Sequence, residues 1–323
     1  MSSSRSQYVA TRAVQSFGTV LVALTANFLI FRLLPGNAAD DFARVPGATP
    51  ELQDALRDQF GLDGSLWTQY VAYIKQLLHG NLGTSFYSRQ PVTHDLAVAI
   101  GNSLPMVLAG TLIGIGLGVA VGAVAAWRRG TGFERGATAG GLVLYAMPAQ
   151  FLGLLLMILF HNVLPIAGMQ DEFAPAGQST LAHLHDVGRH MILPATTLGL
   201  IIFGNYVVLT RAAVLDTLGQ EYVLAARARG FSDAYVLREH ALRNAALPIV
   251  HMVALSLGFM VAGSILIETV FSWPGIGHAV FQAVLARDYP MLQGAFLTLS
   301  VAVIGLNFCA DVISMHLDRR VVG

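Results

Sequence analysis

A single lysine, Lys75, stands in the whole chain of 323 residues, and the residues before it, Tyr73-Ile74, are not a glycine-rich phosphate loop. A Walker A site needs both the glycine-rich backbone that cradles phosphates and the lysine that reaches them. The chain therefore has no such nucleotide site of its own. Cysteine is equally scarce. Cys309 is the only one and sits in an apolar run, which excludes an intrachain disulfide and a thiolate metal cluster and leaves a small buried hydrophobe as its reading. Charged residues make up 12% of the chain, nineteen basic against nineteen acidic, so no global field draws it to nucleic acid. No His-Glu-x-x-His and no paired aspartates stand in the apolar segments, which argues against an intramembrane hydrolase.

Apolar residues are what the chain does have, at 54% of the total with a mean hydropathy of +0.60. A soluble domain of this size would not keep that balance in water. A bilayer core of about 30 Å needs about 20 predominantly apolar residues per helix. Six segments meet that length, 14–34, 103–127, 138–161, 193–215, 247–271 and 292–315. The fold class expected is therefore an all-α integral membrane protein with six transmembrane helices. Asn37-Ala38-Ala39 could pass for a signal cleavage site, but the apolar run before it exceeds a signal core, so the first span is expected to be retained.

Twelve arginines (5, 12, 128, 129, 135, 211, 227, 229, 238, 243, 319 and 320) fall at the termini and after spans two and four. Six basic residues (Arg44, Arg57, Lys75, Arg89, Arg189 and Arg287) fall on the other side. The positive-inside rule then places both termini in the cytoplasm. The resulting organisation is 1–34 for the N-terminus and first span, 35–102 for an external segment, and 103–323 for a core of spans two to six. That core includes a cytoplasmic loop at 216–246.

The external segment is too long for a simple connection and shows helical pattern at Glu51–Phe60 and Trp67–Leu78. In the second stretch Trp67, Tyr70, Val71, Ile74, Leu77 and Leu78 form one apolar face, which suits a helix lying along the membrane surface. In span two Gly110, Gly114, Gly118 and Gly122 recur every fourth residue and line one helix face. Such a stripe permits close packing, either on this chain's own helices or on a second membrane subunit. His161, His183, His185 and His190 lack a third spaced ligand or a cysteine pair, so no metal site is assigned.

Residues 216–246 alternate charge with apolar side chains. Gly230 interrupts the pattern at a helix C-cap position, and Ser232 with Asp233 can start a second short helix. On the first helix Tyr222, Ala225, Ala226 and Arg229 are three or four residues apart, so the small alanines would let another backbone approach. From the residues alone, a lipid-anchored amphipathic loop is an equal reading.

The insert resembles the EAA loop of ABC importer permeases, carried here by Ala225, Ala226 and Gly230. Leu224 holds the motif's glutamate position, and Arg243 stands where the wider class has proline, with Pro248 coming later. Both departures are those of the peptide-permease branch. Its two signatures appear as Glu221-Tyr-Val-Leu-Ala-Ala-Arg-Ala-Arg-Gly230 and His240-Ala-Leu-Arg-Asn-Ala-Ala-Leu-Pro248. The resemblance extends through Phe31-Arg-Leu-Leu-Pro-Gly36, Gly80-Asn-Leu-Gly-Thr-Ser-Phe86, Glu268-Thr-Val-Phe-Ser-Trp-Pro-Gly-Ile-Gly277 and Arg287-Asp-Tyr-Pro290. The chain is thus similar to the first permease subunit of bacterial dipeptide, oligopeptide and nickel-type ABC importers.

That resemblance implies a type I ABC importer permease fold in the bacterial inner membrane, and no catalytic residue. It implies ATP and Mg bound by partner ATPases, with no cofactor on this chain. The implied partners are a second homologous permease forming a heterodimer, two cytoplasmic ATPases or one fused one, an extracytoplasmic substrate-binding protein, and membrane lipid. Glu221, Tyr222, Ala225, Ala226, Arg227, Arg229, Gly230, Phe231 and Ser232 become the ATPase-coupling surface. Peptides of a few residues are the expected cargo, with nickel chelates, glutathione or oligosaccharides as alternatives.

Polar groups at membrane depth are candidates for a translocation path, here Asn205, Tyr206, His251, Glu268, Asn307 and Asp311, with interhelical hydrogen bonding as the alternative reading. Glu268 could instead hold the turn Ser272–Gly277, where Trp273 suits an anchor at the outer interface. An ion-coupled secondary transporter would use Glu268 and Asp311 as coupling sites, but six spans and the docking insert disfavour it.

Overall fold

A computed structural model describes residues 2–33, 65–171, 173, 175, 177, 179–232, 235–242, 244–245, 249–250, 252–253 and 264–317. Among them the chain is helical, with one isolated antiparallel bridge between Thr84 and Pro91. The helices are α1 (Ser2–Leu33), α2 (Leu66–Leu78), α3 (Val92–Trp127), α4 (Gly132–Ala146), α5 (Ala149–Phe160), α6 (Thr180–Leu218), α7 (Glu221–Ala228), a π-helix (Val236–Leu242), α8 (Ile276–Ala286) and α9 (Tyr289–Leu317).

Four stretches are long and apolar enough to cross a membrane, Ser6–Arg32, Val92–Trp127, Thr180–Leu218 and Tyr289–Ile313. They match the first, second, fourth and sixth expected spans but overrun them. The 36 residues of α3 would extend about 54 Å at 1.5 Å per residue, well beyond the hydrocarbon core. Polar residues with good helix geometry simply continue the helix into the interface, which an apolar window does not register.

The expected third span is a broken pair, with α4 and α5 meeting at 106°. The break has a local cause. Pro148 disfavours helical backbone in the residue before it, and Met147 is extended at φ −75° and ψ 129°. The fifth expected span, 247–271, falls mostly outside the described residues, as do the predicted helix Glu51–Phe60 and the path candidate His251.

The glycine stripe of α3 packs on this chain's own α6. A Cβ at Gly110 would stand 2.7 Å from the Ala195 carbonyl, at Gly114 2.5 Å from that of Gly199, and at Gly122 2.6 Å from that of Val207. Backbone thus meets backbone along the whole crossing. On α6's other side Gly204 meets Gly141 of α4 in the same way, 2.5 Å separating a Gly204 Cβ from the Gly141 carbonyl. α6 is the central helix, held by small-residue contacts on two faces.

α2 packs on α1 through its tyrosines. Tyr70 Oη and Thr25 Oγ1 are 2.9 Å apart, and Asn27 Nδ2 donates to Tyr73 Oη at 3.1 Å and to the Gln293 carbonyl at 3.1 Å. Burial raises the Tyr73 phenol above its ordinary pKa, so it stays protonated. Trp67 and Leu78 remain exposed. Arg12 of α1 reaches Asp311 of α9 at 3.5 Å. Cys309, expected to be buried, is exposed on α9, since a helix in lipid can turn apolar residues outward.

Candidate functional site: the cytoplasmic insert and the outer turn

α6 ends at Leu218, where the Gly219 N–H bonds back to the carbonyls of Leu215 and Asp216, and α7 starts two residues later. Glu221 lies in its first turn, favourable to the helix dipole. The far end closes with Gly230 in the left-handed region at φ +81°. The Phe231 N–H reaches back to the Ala226 carbonyl at 3.4 Å, the six-to-one bond of a Schellman cap. Ser232 then starts the next helical turn, its Oγ accepting from the Tyr235 N–H at 3.4 Å and its carbonyl from the Val236 N–H at 3.0 Å. Asp233 and Arg243 lie outside the described residues.

Val223, Ala226 and Val236 are buried together against Leu218. Ala241 and Ala245, in and just after the π-helix, pack with Val214 and Tyr206 of α6 and Ala126 of α3. The insert is therefore seated on the C-terminal ends of α3 and α6. This corrects the face read from spacing. Ala226, 5% exposed, turns inward with Val223, whereas Tyr222, Ala225 and Arg229 face outward. Tyr222 and Arg229 share the surface with Glu221, Leu224, Phe231 and Ser232, all exposed. The rings of Phe231 and Tyr235 stack at 4.9 Å, an exposed aromatic pair just after Gly230. Arg227 lies in the same helix.

Asn205 is half-buried. Tyr206 is 1% exposed in the cluster that seats the insert. Glu268 is fully buried, its Oε2 accepting from the N–H groups of Gly277 at 2.7 Å and His278 at 3.3 Å. It holds the N-terminus of α8 by accepting from two of the backbone N–H groups that a helix start leaves without an intrahelical partner.

Around it the outer turn is tied to α3. The Ile276 N–H donates to Ser103 Oγ at 2.8 Å, Trp273 Nε1 donates to the Asn102 carbonyl at 2.9 Å, and Asn102 Nδ2 donates to the Pro274 carbonyl at 2.9 Å. A Cβ at Gly275 would fall 2.3 Å from Ser103 Oγ, so only glycine fits there. Trp273 is wholly buried, a core residue and not the interfacial anchor its position suggested. Burial also holds the His278 imidazole below its ordinary pKa.

Beside this turn the buried Asp288 accepts from Ser85 Oγ at 2.6 Å and the Tyr87 N–H at 3.1 Å through one oxygen. Its other oxygen accepts from the Met291 N–H at 3.1 Å. It fastens the hairpin before α3 to the start of α9. Sequence reasoning missed Asp288, which reads as a loop residue until α9 starts after it. Among the described residues no three His, Cys, Asp or Glu side chains converge as metal ligands, and His190 Nδ1 is engaged by the Asp186 carbonyl at 3.0 Å.

Also missed was Glu134. Thr131 N-caps α4, its Oγ1 accepting from the Glu134 N–H at 3.3 Å, and Glu134 Oε2 reaches back to accept the Gly130 N–H just before the cap, a variant of the capping box. The Ser/Thr-x-x-Glu spacing is legible in sequence. Its second partner, Arg211, is not, being 77 residues away.

The chain matches a family described as binding-protein-dependent transport system inner membrane component over residues 114–323. It is 33% identical to the dipeptide transport system permease protein DppB of Escherichia coli (strain K12), over 98% of each chain. It is 35% identical to the di/tripeptide transport system permease protein DppB of Pseudomonas aeruginosa (strain UCBPP-PA14), over 92% of each. To the glutathione transport system permease protein GsiC of Salmonella typhimurium (strain LT2) it is 34% identical, over 95% of each. With its helical membrane core, central glycine-packed α6 and the insert that follows it, the chain belongs to this family of inner membrane permeases, the membrane-spanning components of ABC importers with the type I permease fold.

Proposed function

We propose that the chain forms half of the translocation path of an ATP-driven importer of di- and oligopeptides and receives its driving force through residues 221–232. One observation carries the coupling reading. α7 is seated from behind by Val223 and Ala226 while Ala225, with Tyr222 three residues before it on the helix, stays exposed. A small residue beside an exposed aromatic suits a close, apolar contact with a second protein.

The membership in a binding-protein-dependent family supports ATPase and binding-protein partners. The second permease is a homologous subunit, the heterodimer encloses the path, and both termini are cytoplasmic in accord with the arginine distribution. Hydrolysis belongs to the ATPases, and this chain is not catalytic. Movement of the docked insert exchanges two states of the path.

Peptide cargo is favoured by the names of the relatives above, and glutathione, itself a tripeptide, stands as the second reading through GsiC. Competition for uptake decides between them. In proteoliposomes holding the complete transporter, unlabelled dipeptide should displace labelled dipeptide at lower concentration than glutathione does. The reverse order would reassign the cargo.

A further inference from the structure

The insert packs on α3 and α6, and both helices also meet the outer turn; one charged pair ties α6 to α4 as well. Arg211, near the cytoplasmic end of α6, donates from Nε to Glu134 Oε1 at 2.9 Å and from Nη2 to the same oxygen. Glu134 is buried, and its other oxygen holds the Gly130 N–H of the loop between α3 and α4. A capping glutamate needs one oxygen for its own helix. Here the second is committed to a different helix.

Where α4 crosses α6, at Gly141 and Gly204, backbone lies on backbone. Such a surface resists separation but offers little against sliding or swivelling. A directional ion pair does resist both, because displacement leaves a buried charge without its partner. Beyond the pair, α4 leads to the elbow at Pro148 and on to α5. There Gly153 packs on Val270 and Phe271, and Leu152 and Leu156 share a cluster with Phe271 and Trp273 of the outer turn.

We propose that the Glu134–Arg211 pair is the strut through which displacement of the cytoplasmic insert, carried by α6, moves the α4–α5 elbow and with it the outer turn. The inference rests on the reading that the insert docks on ATPases. Glu134 and Arg211 are positioning residues. They touch neither cargo nor nucleotide, and their loss uncouples hydrolysis from transport without removing the ATPases.

The test uses the whole transporter in proteoliposomes, with Glu134→Gln, Arg211→Gln and the exchanged pair Glu134→Arg with Arg211→Glu. Uptake, binding-protein-stimulated ATP hydrolysis, ATPase co-purification and thermal stability are measured together. Each single variant should keep its ATPases and its stimulated hydrolysis while the ATP consumed per substrate rises about ten-fold, the scale of a typical coupling term. The exchanged pair should recover part of the lost coupling. Arg211→Lys, which keeps the charge, should fall between. A constant ATP-to-substrate ratio, with uptake and hydrolysis declining in parallel with stability, would reduce the pair to a scaffold contact and overturn the strut. A wild-type complex without ATP-driven uptake would overturn the importer reading, and the strut with it.

Discussion

Ala225 and Ala226 are adjacent and chemically identical, yet the fold gives them opposite environments, and substitution should separate them. Ala225→Arg points a guanidinium outward from an exposed position. The chain should insert and fold normally but lose its ATPases on co-purification. Ala226→Arg forces a charge against Val223 and Val236, destabilising the insert by on the order of 3 kcal/mol. Limited proteolysis should then cut residues 221–242 faster than in wild type. Gly230 gives a second contrast, since its φ of +81° is closed to proline, fixed near −65°. Alanine there bears roughly 1–2 kcal/mol of left-handed strain. Uptake should survive Gly230→Ala in part and vanish in Gly230→Pro. The cap at Gly230 and the N-cap at Ser232 were legible because capping is chemistry within a few residues. The inward turn of Ala226 was not, because it depends on Val236 arriving from the next helix, and spacing alone cannot rank two neighbouring alanines.

Among elements, the crossing of α3 and α6 makes the sharpest demand. Gly114→Ala would bring a methyl within 2.5 Å of the Gly199 carbonyl, whereas a Cβ at Gly116, on the same helix, meets nothing within 4 Å. Forcing the helices apart should destabilise by about 1–3 kcal/mol, and Gly116→Ala should be neutral, as thermal melts of the detergent-solubilised subunit will report. The four-residue glycine period exposed the stripe, but its partner helix was not readable, because any small-residue face would accept it. The bend in the third expected span was not legible because its apolar content is continuous across Met147-Pro148. The proline was a warning of the break, but a 106° elbow requires α4 and α5 each to find its own neighbours. Trp273 was misplaced for the same reason. A tryptophan beside Pro-Gly looks interfacial until Asn102 and Ser103 of α3 close over the turn.

For the whole molecule, hydropathy and arginine distribution made the membrane class legible, and the insert's signatures made the family legible. Contacts at long sequence distance, Glu134 with Arg211 and Ser85 with Asp288, were invisible, since each residue has an adequate local reading. The insert is joined to the outer turn through α3 and α6, so the central claim is that force applied at residues 221–232 drives transport. The most direct test is uptake of labelled di- and tetrapeptides by proteoliposomes holding this chain with its partner permease, ATPases and binding protein, with and without ATP, in wild type and Ala225→Arg. The account predicts ATP-dependent accumulation in wild type and none in the variant, although the variant chain is inserted and paired with its partner permease. Accumulation without ATP, or undiminished uptake in Ala225→Arg, would contradict it.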